Sequence, residues 1–138
     1  PVFVVPYIHR LPLKFDRIAI CWDGSQHAAR AMSDAMPFLI RAKQIEVVSV
    51  FSPDDSKEKL PGAEIATHLA RHGLNITLRN LPDGQIDVGN TLLSYTVDST
   101  IDMLVMGGYG HSRLREFVLV GATETVLTTM TLPVLLSH

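Results

Sequence analysis

Two short stretches carry the residue types that bind anions. The first, "GGYGHSRLREFVLVGATETVL" at residues 107–127, opens with Gly107, Gly108 and Gly110 and runs on into helical spacing. Glycines let a backbone approach a phosphate and let successive N–H groups point into one concavity, and a following helix adds its positive end. His111, Ser112, Arg113 and Arg115 supply further donors and positive charge. A glycine-rich surface turn with solvated arginines would have the same composition. The second stretch is "WDGS", Trp22 to Ser25. Asp23 can accept hydrogen bonds from a ligand, Gly24 permits a tight turn and Ser25 suits a helix N-cap. A plain turn and cap uses these residues too, and Trp22 is either core or one wall of a base-binding slot.

Other chemistries find less support. There is no Gly-Lys-Ser/Thr, which excludes a P-loop, and no G-x-G-x-x-G follows the first apolar run, which disfavours a dinucleotide fold of that type. A phosphoacceptor receiver domain fails because "TLRNLP" ends without an acid and "LPVLLSH" without a lysine. Glu64, His68 and His72 fall at i, i+4 and i+8, a stripe that could hold a divalent metal. Beside the apolar face of Ile65 and Leu69 it reads better as a solvated helix edge, and no metal is expected. His111 and Ser112 are neighbours, but no acid is marked to orient them, and no nucleophile and base set can be assembled at the strand ends. No catalytic residue is expected.

The elements that must carry these residues follow from periodicity. Apolar runs rich in branched residues begin at 17, 45, 75, 102 and 132, a pitch of 27 to 30 residues. Between them lie helical patterns: Ala28, Met32, Ala35, Met36 and Leu39; then Ile65 and Leu69; then Ile86, Leu93 and Val97; then Ala122, Val126 and Met130. Strand and helix alternating at this pitch give right-handed crossovers on a parallel sheet with helices on both faces. Ligands of such sheets sit beyond the carboxyl ends of the strands, where the winding reverses. "WDGS" and the residue 107 loop follow the first and fourth runs, so a reversal between those two would bring them together.

With 138 residues, 46% of them hydrophobic, and a net charge of -2, the chain is one self-sufficient domain without a basic nucleic-acid surface. A single cysteine, Cys21, excludes an internal disulfide and fits a reducing, cytoplasmic setting. Cys21 stands in an apolar run and reads as a buried small hydrophobe. No stretch approaches the roughly 20 apolar residues of a membrane helix.

"RIAICWDGSQHAARAM", "DMLVMGGYGHSRLREFVLVGATETVL" and "LPVLLSH" resemble the universal stress protein family, in order and spacing from Phe15 to His138. The resemblance implies a five-stranded parallel sheet of order 3-2-1-4-5 with helices on both faces, Rossmann-like and adenine nucleotide alpha hydrolase-like, reversing between strands 1 and 4. Many members bind ATP through G-x2-G-x9-G-(S/T), with an acid after the first strand and a main-chain contact at the end of the second. Carried over, Asp23 matches the acid, Val50 the second-strand position, and Gly107 and Gly110 the first two glycines, with His111 and Ser112 as added donors. After the nine-residue spacer stands Val120, with Gly121 in the Ser/Thr place; if Gly121 is instead the third glycine, Ala122 lacks the hydroxyl. A branched side chain crowds an approaching phosphate, and losing a hydroxyl partner weakens binding by about 1 kcal/mol, or several-fold.

The expectation is therefore a stress-response regulatory module with an adenine-nucleotide cleft and weakened or lost ATP binding. The alternatives are a small ATP-hydrolysing or nucleotidyl-transferring enzyme on a related fold, and a dimerising module with a vestigial cleft. "PVFVVPYI" resembles the fifth strand of such a domain and echoes "LPVLLSH", as in the second half of a tandem pair. Residues 1–12 are then a leftover strand and linker and 13–138 the domain. Val2 to Val5 would pair antiparallel with the edge formed by residues 133–137, an edge otherwise open to a homodimer partner.

Overall fold

A computed structural model of the chain describes residues 1–10, 12–51, 62–82, 87–108 and 120–138. The apolar runs form strands and the amphipathic stretches between them form helices. In chain order these are β1 (Val2–Val4), β2 (Arg17–Cys21), α1 (Gln26–Leu39), β3 (Gln44–Phe51), α2 (Ala63–Arg71), β4 (Ile76–Pro82), α3 (Val88–Asp98), β5 (Met103–Gly107), α4 (Val120–Thr129) and β6 (Val134–Ser137).

The strands lie side by side in the order β4-β3-β2-β5-β6-β1, all parallel except β1, which runs antiparallel to β6. The sheet is thus mixed and six-stranded, where the resemblance implied five parallel strands, because the N-terminal segment joins it. Winding reverses between β2 and β5, whose residues pair as Ile18 with Met103 and Ile20 with Val105.

Alternate strand residues feed two separate cores. Ile18, Ile20, Ile45, Val47, Met103 and Val105 pack under α1 and α2, with Met32, Leu39 and Leu69 from those helices. Ala19, Cys21, Val48, Leu104, Met106 and Leu136 pack under α3 and α4, with Leu92 and Val126. Burial on both faces is what a parallel sheet requires and explains the near-continuous apolar strands.

The buried faces of α1, α2 and α4 follow the spacing read from the sequence, but that of α3 does not. The helix starts at Val88, capped by the Asp87 carboxylate accepting from the Asn90 N–H, and buries Val88, Gly89, Leu92 and Thr96. Leu93 is only partly buried and Val97 is 64% exposed, while Ile86 lies outside the described residues. The phase is set by close helix contact: a Cβ on Gly89 would meet Thr125 Cβ at 2.6 Å and the Ala122 carbonyl at 3.0 Å, both on α4. A small and a polar residue occupy buried positions, so a count of apolar residues selects the wrong stripe.

One charge enters the second core. Glu46 of β3 is 1% exposed, yet it accepts from Gln44 Nε2 at 2.9 Å and from the Tyr95 hydroxyl. Arg17 Nη2 lies 3.5 Å from one of its oxygens and Arg79 Nε 3.9 Å from the other. A buried carboxylate persists only with such partners. Burial first, and then the carboxylate beside it, pushes the Tyr95 phenol up, so its proton stays in place to donate.

The edge strand β1 is held by side chains as well as by pairing. Val2, Phe3 and Val4 face Leu136, Leu135 and Val134 of β6, and the Phe3 ring stacks on Phe38 of α1 at 5.8 Å and meets Phe15 edge-on at 5.9 Å. At the other end of α3 the chain turns through Thr100. Thr100 N–H bonds the Val97 carbonyl and Ile101 N–H bonds that of Thr96, closing the helix in the manner usually left to glycine. Thr100 holds φ +51°, a left-handed conformation that a β-branched residue resists by about 1 to 2 kcal/mol. Thr100→Gly is expected to raise stability by about 1 kcal/mol in urea unfolding; an unchanged or lower midpoint would show that the turn is unstrained.

Candidate functional site

At the carboxyl edge of the sheet, β2 ends in a built turn. Trp22 N–H carries the pairing with β3 one step further by donating to the Val48 carbonyl at 2.8 Å, and Ser49 Oγ donates to the Trp22 carbonyl at 2.9 Å. Asp23 Oδ1 accepts from Ser25 N–H at 2.9 Å, and Ser25 Oγ accepts from Ala28 N–H at 3.1 Å, capping α1. Gly24 between them holds φ +76°. "WDGS" therefore is a turn and cap, and it engages Oδ1 of the exposed Asp23 carboxylate.

The register brings the predicted residues to one level. Asp23 stands three residues beyond Ile20, and Gly108 three beyond Val105, its partner on β5. Val50 follows Val48, the partner of Cys21, on the α3 side of the sheet. Cys21, Trp22, Asp23, Val50, Val88 and Leu92 line a narrow cleft of about 30 Å³. Cys21 at its base is buried, and burial, reinforced by the Asp23 charge, pushes the thiol up to about 12. A thiol raised in this way stays protonated at neutral pH.

Gly107 is required by packing. A Cβ there would lie 2.8 Å from Ala28 N and equally close to His27 C and Cβ, inside the first turn of α1. Gly108 does not offer its N–H to an anion, because it donates to the Ser137 carbonyl at 2.8 Å. The far half of the motif opens α4: Val120, Gly121 and Ala122 are its first three residues. Gly121 is exposed, and a Cβ there would meet nothing within 4 Å among the described residues. Ala122 is buried in the core with Val88 and Leu92, so its side chain is turned away from solvent. Gly110, His111 and Ser112 lie outside the described residues.

Two histidines not singled out by sequence reasoning stand beside Gly107. The rings of His27, in the first turn of α1, and His138, after β6, are 4.7 Å apart. Only the fold relates them, since 111 residues separate them in sequence. At the end of α2 the ring of His68 packs edge to face against that of His72, the residue that caps the helix, at 5.0 Å. Among the described residues no group of three or more His, Cys, Asp or Glu could hold a metal, and no helix is long and apolar enough to cross a membrane.

Solved structures share this architecture over nearly the whole chain. The hypothetical protein MJ0577 superposes with a TM-score of 0.70 at 19% identity, over 89% of this chain and 95% of that one. A universal stress protein from Archaeoglobus fulgidus DSM 4304 gives 0.64 at 18% identity, over 89% of this chain and 44% of that one. A universal stress protein in complex with cAMP gives 0.59 at 17% identity, over 89% and 97%. The fold is that of the universal stress proteins. In sequence, the universal stress protein Slr1230 of Synechocystis is 43% identical over 44 residues, 32% of this chain. The match spans 15% of that protein's length. No family model matches the chain. The resemblance to universal stress proteins carried by the strand and loop motifs thus extends to the fold and to a local stretch of sequence.

Gly107 and Gly121 should respond oppositely to a methyl group. Gly107→Ala is expected to lower stability by about 1 to 3 kcal/mol through overpacking against α1. Gly121→Ala should leave it unchanged or raise it by up to about 1 kcal/mol through helix propensity. Equal effects in chemical denaturation would contradict the packing assigned to Gly107.

Proposed function

We propose that the chain is a universal stress protein domain that acts as a stress-response regulatory module and binds adenine nucleotides weakly, without catalysis. The observation that carries this reading is the reversal between β2 and β5, which sets Asp23 and Gly107 at neighbouring strand ends. The base would lie along Val50 and Trp22, the ribose hydroxyls on Asp23, and the phosphates between Gly107 and the N–H groups opening α4. Gly110, His111 and Ser112 complete the proposed set from the family motif. The structure solved with cAMP supports the ligand class, since an adenine nucleotide occupies a protein of this fold.

Weak binding follows from the far half of the loop. The third glycine of the motif is Val120, and neither Gly121 nor the buried Ala122 brings the hydroxyl that the motif ends on. A vestigial cleft serving only a dimerising module is the second reading, favoured by the narrowness of the cleft and by the packing need that accounts for Gly107 without any ligand.

The pairing of β1 with β6 supports a further part of the proposal: residues 1–12 are the strand and linker of a preceding domain, and 13–138 form the domain proper. The Archaeoglobus protein, of which this chain covers 44%, has room for two such units. Where β1 is absent, the same β6 edge is free for a homodimer. A cytoplasmic setting, with no nucleic-acid or membrane partner, accords with the net charge of -2.

Calorimetry with ATP, ADP and AMP at millimolar ligand tests the nucleotide reading. Val120→Gly is expected to bind ATP several-fold more tightly than the parent, by about 1 kcal/mol, and Asp23→Ala to bind all three more weakly. Equal affinity of Val120→Gly and the parent would show that Val120 is not the defect. No heat from either protein would favour the vestigial reading.

A further inference from the structure

We propose that the carboxyl end of α2 is a surface chelate for a divalent transition-metal ion of the imidazole-preferring class, zinc, nickel or copper, held by His68 and His72. The two residues stand four apart on one face of the helix, His68 in its body and His72 at its C-cap, and both are exposed. Their ring centres are 5.0 Å apart and their planes meet at 66°. The stripe they form is the one the sequence singled out and the nucleotide reading leaves unused.

The separation of the rings is the one a shared ion requires. Two imidazoles bound to one metal through bonds of about 2.0 to 2.1 Å, at an angle between square and tetrahedral, set their ring centres roughly 4.5 to 5.2 Å apart. The observed distance lies inside that span. Turning each ring about χ2, whose energy well is broad, aims one nitrogen of each at a common point without moving the helix. The backbone fixes the spacing, because His72 N–H still donates to the Leu69 carbonyl at 3.0 Å. Ile65 and Leu69 carry the buried face, so the ligands remain open to solvent and water fills the other coordination positions. The rings of His27 and His138 come as close, at 4.7 Å, but they belong to separate elements and no single backbone holds them.

The donor set names the class of ion. Magnesium and calcium seek oxygen ligands, whereas imidazole suits zinc, nickel and copper. Among the described residues no third His, Cys, Asp or Glu joins the pair, so the ion binds reversibly and not as a structural zinc. The helix carboxyl end favours a cation and Arg71 of the same turn opposes it, which leaves chelation as the source of affinity. The bridge exists only while α2 is helical, so the ion stabilises the folded chain. A nine-residue helix whose N-cap, Gly62, makes no side-chain hydrogen bond gains from such a clamp.

The test is calorimetric titration of the tag-free chain with Ni²⁺ in a non-coordinating buffer containing millimolar Mg²⁺. Saturable binding of a single ion is expected, with a rise in the thermal midpoint. His68→Ala and His72→Ala should each bind at least about tenfold more weakly and lose that rise, because one of two linked ligands is gone. His27→Ala should bind as the parent does. Adding Glu64→His to His72→Ala rebuilds the four-residue spacing one turn earlier on the same stripe and should restore binding. Parent-like binding by His68→Ala or His72→Ala, loss of binding in His27→Ala, displacement of Ni²⁺ by Mg²⁺, or no recovery with Glu64→His would each overturn the proposal.

Discussion

The carboxyl edge of this domain depends on how closely β5 approaches the first turn of α1. At Gly107 the two backbones leave no room for a Cβ, with Ala28 N and His27 both 2.8 Å from where it would stand. This contact seats α1 across the reversal between β2 and β5 and fixes where the loop after β5 departs. It also places His27 against His138 and holds the Ser25 cap beside the start of the loop. A glycine that in sequence suggests room for a phosphate is first of all a glycine that lets a helix sit down on a sheet.

That double use recurs along the edge. Asp23, which its place after a strand marks for a ligand, holds the turn through Oδ1. Gly108, by contrast, gives its N–H to Ser137, so sheet pairing removes a donor that composition alone would assign to an anion. At the start of α4, Ala122 is committed to the core with α3 while the neighbouring Gly121 has no packing role among the described residues. Helix starts and strand ends must satisfy the fold first, and what remains is available for binding.

Much of the fold was legible because each strand of a sheet covered on both faces has to be apolar throughout. The runs at 17, 45, 75, 102 and 132 mark β2 to β6, and the echo between "PVFVVPYI" and "LPVLLSH" pointed to β1 and its antiparallel pairing. The face of α3 was misread at Leu93 and Val97, since Gly89 and Thr96 take buried places for the sake of helix contact with α4. Glu46 interrupts an apolar run, but only the fold supplies Arg17, Arg79, Gln44 and Tyr95 around it. At the carboxyl edge, the places of Asp23, Val50 and Gly107 at strand ends were readable from the apolar runs, whereas the His27 and His138 pair was not, because it is made by topology.

The most direct measurement of the central claim is a crystal structure of the chain grown with millimolar ATP. The account predicts the adenine beside Val50 and Trp22, the ribose on Asp23, and the phosphates between Gly107 and the first turn of α4. Nucleotide bound elsewhere, or an empty edge between β2 and β5 at saturating ATP, would contradict it.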